Sequence, residues 1–474
     1  MKFEIHKLAR IEDAKFEIKD LTIFVGKNST NKSYVAHIVY ILNKILSKFN
    51  DNSYARRGLF NELFVRYMKN NENQKLISTV KELKKKESIS EHEIQVDEDR
   101  FEWEEIREVT YSFESFDVQE LVKNIHQFMM SVIIDELNKS FNTSRKILEK
   151  IVLVNCSISN ISIIENNKIT IQSIDEEFDH VRLLQLIFKK VSSEYFKQKA
   201  CNEEFYFPAS RTGFVLAFDE IVSGVLRDRF GGQPTATKLT EPTIDFISGF
   251  SDIKSGKFGD EISFLRYSLF DERDTSSKMK ELFEFIENRI IKGKILEEKK
   301  QENYTQFYLQ PKNSEKLELH LTSSATVELL PLVIFLKHFS KIKDRLLVIE
   351  EPEAHLHPKA QIEMARLIVM LVNAGAKVLI TTHSDYILNE ISNCIKLSES
   401  NPKKVDEYLK KHDLSKETII NKDNVSAYLF KDNDGKTDVQ NLTIDNYGIA
   451  NDNFDDILDE LLDRTEAINE IIEN

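Results

Sequence analysis

Four short stretches hold residues able to work on a nucleotide phosphate, and they lie far apart in the chain. Gly26-Lys27-Asn28-Ser29-Thr30-Asn31-Lys32-Ser33 follows an apolar run and opens a helical pattern. In that setting backbone N–H groups and a helix dipole face phosphate charge. Lys32 would neutralise the β- and γ-phosphates, and the Ser33 hydroxyl would hold Mg2+, a hard cation that takes oxygen ligands. Asn31 stands where a glycine is usual, and Asn tolerates left-handed backbone better than other side chains do. Taken alone, the stretch also reads as a polar strand–helix turn.

The second stretch is Arg345-Leu-Leu-Val-Ile-Glu350-Glu351-Pro352. Two carboxylates leave the C-terminal end of an apolar strand, the edge where open α/β sheets bind ligands. Glu350 would hold the Mg2+ shell and Glu351 would polarise the attacking water. The third is Leu379-Ile-Thr-Thr-His383-Ser384, a strand ending at an imidazole that can donate to the γ-phosphate or to that water. The fourth, Leu321-Thr-Ser-Ser324-Ala325, opens a helix with hydroxyl residues. They read equally as ordinary caps or as a second phosphate-binding helix terminus used across a dimer.

Such residues need a parallel sheet to bring them together. Leu21–Val25 is a continuous apolar run, and residues 317–397 alternate strand and helix patterns, the mark of an open α/β sheet. Between these parts, residues 51–150 are charged and read as mostly helical, residues 151–171 switch to β-branched alternation, and a helix is expected at about 180–198. The expected organisation is an α/β domain in two pieces, 1–50 and 205–400. A mostly helical lobe with a short β segment is inserted at 51–204. Residues 401–474 add a hairpin and an acidic helix from Phe454.

Composition narrows the class. Apolar residues make up 41% and charged residues 30%, an ordinary globular balance. No apolar run reaches the roughly 20 residues of a membrane helix, and the N-terminus lacks a signal-peptide pattern. Cys156, Cys201 and Cys394 are widely spaced, with no CxxC, so neither a disulfide framework nor a zinc site is expected and a reducing cytoplasm fits. The net charge of −14 argues against a general nucleic-acid coat. Any DNA contact would be local, at a run such as Lys81, Lys84, Lys85 and Lys86, which otherwise reads as a solvated helix face.

The order of the loop at 26–33, SSATVELLPL, LLVIEEPEAHLHP and ITTHSDYIL resembles the ABC-type P-loop ATPases of the RecF, SMC and OLD branch. The resemblance covers roughly residues 1–50 and 290–395. It implies an α/β, ABC-type P-loop NTPase fold with an inserted lobe, in which Gly26–Ser33 binds ATP and Glu351 and His383 serve hydrolysis. It also implies that Ser324 reaches the γ-phosphate held by a partner copy and that Ala354–His357 forms the D-loop. Ala325 stands where the signature glycine is usual. Phe207-Pro-Ala-Ser-Arg211-Thr-Gly213 and the IIKGKI segment are similar to compact prokaryotic defence ATPases of the OLD/Gabija, Septu and PARIS systems. Arg211 then reads either as a nucleotide neighbour or as a salt-bridged structural residue.

The resemblance implies a homodimer formed through ATP, alone or within a larger oligomer, controlling a separate nuclease or toxin in antiviral defence. The alternative is a DNA repair or recombination clamp that grips DNA itself. The tail after His383 is short for a TOPRIM nuclease domain. Asp432 and Asp434 read as turn chemistry, and His355 and His357 lack partners for a metal. No nuclease activity of the chain's own is expected.

Overall fold

Every residue of Leu21–Gly26 is buried, as a parallel strand covered on both faces requires. Arg345–Glu350 is likewise buried throughout, and so is Lys377–Thr382 except at its first residue. In the computed structural model of the chain these are β3, β12 and β13. The structure describes residues 1–50, 54–69, 84–97, 100–112, 118–143, 146–153, 168–173, 184–185, 187–189, 201, 203–218, 239–254, 276–301, 304–338 and 342–450. The acidic helix expected from Phe454, the run 154–167, Lys81 and Cys156 lie outside them. Of the helix expected at about 180–198, residues 184, 185 and 187–189 are described and are helical.

The chain begins with β1 (Lys2–Leu8) and β2 (Ile11–Glu17), followed by β3 and α1 (Lys32–Asn50). Then come α2 (Tyr54–Lys69), β4 (Lys84–Asp97), β5 (Arg100–Ser112), α3 (Val118–Ser140), β6 (Leu148–Leu153) and β7 (Lys168–Ser173). The second half runs through β8 (Glu203–Phe207), α4 (Arg211–Leu216), α5 (Glu241–Lys254), α6 (Ser276–Phe285), β9 (Gly293–Gln301), β10 (Tyr304–Pro311) and β11 (Leu317–Glu318). It continues with α7 (Ser324–His338), β12, α8 (Pro358–Asn373), β13, α9 (Asp385–Ser398), α10 (Pro402–His412), β14 (Val425–Asn433) and β15 (Lys436–Asn441).

Two units can be distinguished. One comprises Met1–Lys44, Leu137–Lys150 and Cys201–Asn474; the other comprises Ile45–Glu136 and Ile151–Ala200. The first holds a six-stranded sheet in the order β15-β14-β3-β13-β12-β8. All neighbours are parallel except the β14–β15 hairpin. The sheet, with α1 leaving the end of β3, is that of a P-loop NTPase, with β13 lying between the loop strand and the strand of paired carboxylates. Register fixes what shares the edge: Phe24 pairs with Thr381 and Val25 with Thr382, while Thr381 also pairs with Glu350. Ile349 pairs with Phe207.

The face of β3 and β14 is covered by the β1–β2 hairpin. The Phe16 ring lies 5.6 Å from Phe24, 5.1 Å from Tyr428 and 6.2 Å from Phe430. Gly26 ends β3 with φ at 148°, and a Cβ there would stand 2.3 Å from the Phe430 carbonyl oxygen. Only glycine lets the chain turn away beside β14.

The second unit departs from the helical reading at one place. Lys84–Asp97 and Arg100–Ser112 form a long antiparallel hairpin, with β7 paired to β5. Lys84, Lys85 and Lys86 therefore open a strand and not a helix face. Phe101, Trp103, Val109 and Tyr111 recur at even spacing, a period-2 signal obscured by the density of charge around them. α2 and α3 supply the helical part. Among the described residues no helix is long and apolar enough to cross a membrane, and Cys201 and Cys394 are both buried and unbonded.

Candidate active site

The loop after β3 turns on left-handed residues. Ser29 and Asn31 have φ of 63° and 66°, so Asn31 takes the left-handed backbone that a glycine adopts most readily. Left-handed residues in such a turn let successive N–H groups face one concavity. Lys27, Asn28 and Ser29 are exposed, whereas Thr30 is buried and donates its hydroxyl to the Lys27 carbonyl at 2.8 Å. The Lys32 ammonium lies against the loop's own carbonyls, donating to Gly26 O at 2.8 Å and Lys27 O at 2.7 Å. Burial lowers its pKa to about 8, against the opposing pull of Glu351, Glu353 and Glu350. Ser33 is exposed in the first turn of α1.

Glu350 and Glu351 leave β12 in different environments. Glu350 is buried; its carboxylate accepts the Ala209 N–H at 3.1 Å and takes a side-chain hydrogen bond from the buried Tyr206 hydroxyl, while Oε1 has no partner of ordinary geometry among the described residues. A half-satisfied buried carboxylate is costly unless something completes it. With the Ser33 hydroxyl it offers the hard oxygen donors that suit Mg2+, so the donor set fits that ion. Bound there, Mg2+ would neutralise phosphate charge. Glu351 has φ of 42° and is pinned by its N–H donating to Thr381 O at 2.9 Å. That turn brings its carboxylate to 3.3 Å from His383 Nε2. The contact with His383 is the main reason its pKa is lowered, with burial opposing and Lys32 assisting.

The loop, Glu350, Glu351 and His383 thus share one sheet edge. Ser324 does not join them: it is exposed at the start of α7, and no hydrogen bond or ion pair among the described residues links it to them. Ser323 provides the cap, its hydroxyl accepting the Thr326 N–H at 3.3 Å. His357 caps α8, its Nδ1 accepting the Lys359 N–H at 3.3 Å.

Arg211 takes the structural of its two readings. Its guanidinium donates to Glu350 O at 2.6 Å, Glu351 O at 3.2 Å and Pro208 O at 3.0 Å, and pairs with Glu328 at 2.6 Å. Both side chains are buried. Burial lowers the Arg211 pKa and raises that of Glu328, each opposed by the partner's charge. Arg211 thereby holds the backbone from which both carboxylates project. Arg211→Met should leave Glu328 buried without its partner and cost about 3–5 kcal/mol. Equilibrium denaturation would measure it, and an unchanged midpoint would remove Arg211 from this role.

Two further participants carry no recognisable signal in the sequence. Glu353 Oε1 accepts the His383 N–H at 2.6 Å and the Thr382 hydroxyl at 2.9 Å; the only hint was a third carboxylate just past Pro352. Arg10, in the β1–β2 turn, donates to Ser29 O at 3.1 Å and Gly435 O at 2.8 Å and pairs with Asp432. Asp432, near the end of β14, is therefore held by Arg10 beside a tight hairpin turn, where Asp434 and Gly435 have φ of 46° and 88°.

The AAA ATPase domain family profile matches residues 1–388. No curated protein matches. Among solved structures, an Smc head bound to the C-terminal winged-helix domain of ScpA is 11% identical, covering 94% of this chain and 98% of that one, with a TM-score of 0.34. The Smc head domain with an extended coiled coil bound to the C-terminal domain of ScpA, from Pyrococcus furiosus, is 10% identical over 100% and 99%, TM-score 0.32. The SMC head domain from Thermotoga maritima is 8% identical over 94% and 98%, TM-score 0.30.

Proposed function

The chain belongs to the AAA ATPase domain family and hydrolyses ATP to ADP and phosphate; we propose that it does so as an ABC-type switch, with each ATP held between two copies. In this reading Gly26–Ser33 cradles the phosphates, Ser33 and Glu350 hold Mg2+, Glu351 orients and activates water, and His383 contacts the γ-phosphate side. The observation that carries it is the common sheet edge of Lys32, Glu350, Glu351 and His383. Ser324, exposed at a helix N-terminus and apart from that edge, is available to a partner copy's γ-phosphate. The switch controls a separate nuclease or toxin in antiviral defence. The charge of −14 favours this over a clamp that grips plain duplex DNA, whose affinity would come from phosphate contacts and fall steeply with salt.

Ser324→Arg tests the composite site. It should leave ATP binding to the single chain intact and block association on ATP, because the long side chain fills the space meant for the partner's γ-phosphate. Light scattering with and without Mg-ATP measures it. A purely monomeric enzyme with full turnover would overturn the reading.

A further inference from the structure

Glu353, in the loop after β12, reaches across to the end of β13. Glu353 Oε1 accepts both the His383 N–H, at 2.6 Å, and the Thr382 hydroxyl, at 2.9 Å. The same Thr382 oxygen accepts the Ser384 N–H at 3.0 Å. Ser384 in turn donates its hydroxyl to Gln361 Oε1 at 2.5 Å and caps α9 by accepting the Ile387 N–H at 3.2 Å. Residues 382, 383 and 384 are therefore fixed in sequence, and the anchor on the carboxylate side is Glu353. The His383 imidazole, the free end of this fixed backbone, lies 3.3 Å from Glu351.

We propose that Glu353 is a positioning residue for ATP hydrolysis: by accepting the His383 N–H and the Thr382 hydroxyl, it aims the His383 imidazole at Glu351 and at the attacked phosphate. This rests on the proposed roles of Glu351 and His383. Glu353 touches neither the reacting phosphate nor the water in this scheme. Its other carboxylate oxygen is buried without a hydrogen-bond partner among the described residues, and apart from an interaction with its own backbone N–H the side chain's acceptor capacity goes to this junction. A carboxylate accepts both donors through a single oxygen, and so can the carbonyl oxygen of a glutamine; a methyl group cannot.

Glu353→Ala should therefore lower kcat about tenfold to a hundredfold, the scale of a misplaced catalytic group, with KM for ATP within about threefold of wild type. Glu353→Gln should recover most of that loss. In a His383→Ala background the same Glu353→Ala change should cost little more, since the group it positions is gone. Full kcat in Glu353→Ala would overturn the proposal, and so would equal losses in the Ala and Gln variants. Full additivity with His383→Ala would also overturn it. Glu351→Gln, measured alongside, separates the two levels. If that variant still turns over normally, the site reading itself fails. If it is inactive while Glu353→Ala is unimpaired, only the positioning role fails.

Discussion

Glu351→Gln should stop turnover and leave ATP bound. The backbone at residue 351 is left-handed and tied to Thr381, and Arg211 holds the Glu351 carbonyl, so an isosteric amide keeps its place. What changes is the acceptor. His383, helped by Lys32, keeps the Glu351 carboxyl below the usual carboxylate range, so it is ionised at neutral pH and can orient water and draw its proton. An amide cannot accept that proton, and losing a positioned base costs about 10²-fold or more. Steady-state phosphate release alongside equilibrium nucleotide binding separates the effects. Normal release by the variant would remove Glu351 from its role.

Lys32→Ala should all but abolish ATP affinity. The Lys32 ammonium is the one cation of the 26–33 loop that is buried, and it donates to two carbonyls at the loop's mouth. ATP offers it charged oxygens instead. Two charge-assisted hydrogen bonds at about 1.5–3 kcal/mol each correspond to about a hundredfold or more in affinity. The wild type carries a pH signature as well. Burial lowers Lys32 to about 8, so it is protonated below that pH and neutral above it. ATP affinity should accordingly fall as pH rises past 8. Unchanged affinity in Lys32→Ala, by calorimetry or a fluorescent analogue, would mean that the loop is not a phosphate cradle.

The strands were legible because burial on both faces leaves its mark as uninterrupted apolar runs: Leu21–Val25, Leu346–Ile349 and Val378–Ile380 contain almost nothing else. Their polar terminal residues were legible for the same reason, as abrupt breaks in those runs. The order of strands was not, since the placement of β13 beside β3 depends on pairing between segments at opposite ends of the chain, such as Leu21 with Val378. Glu353 was hidden because one carboxylate in a loop has no period, and its role exists only once β12 and β13 are neighbours in register. Arg10 was hidden likewise: its partners lie in two distant places, Ser29 in the 26–33 loop and Asp432 and Gly435 in the β14–β15 hairpin. The β4 and β5 segments read as helical in sequence because charged residues, common on helix faces, outnumber the alternating aromatic and β-branched ones that mark these strands.

The claim that ATP is clamped between two copies is tested most directly by mixing two inactive variants. Lys32→Ala supplies an intact Ser324 but cannot bind ATP. Ser324→Arg binds ATP but cannot close on an ATP-loaded partner. Combined, they leave one complete site in each mixed pair, with the loop from one chain and the serine from the other. ATP turnover should reappear on mixing, at about a quarter of the wild-type rate per chain if pairing is random and sites act independently. Turnover that stays at the sum of the two separate variants, at every mixing ratio, would contradict a shared site.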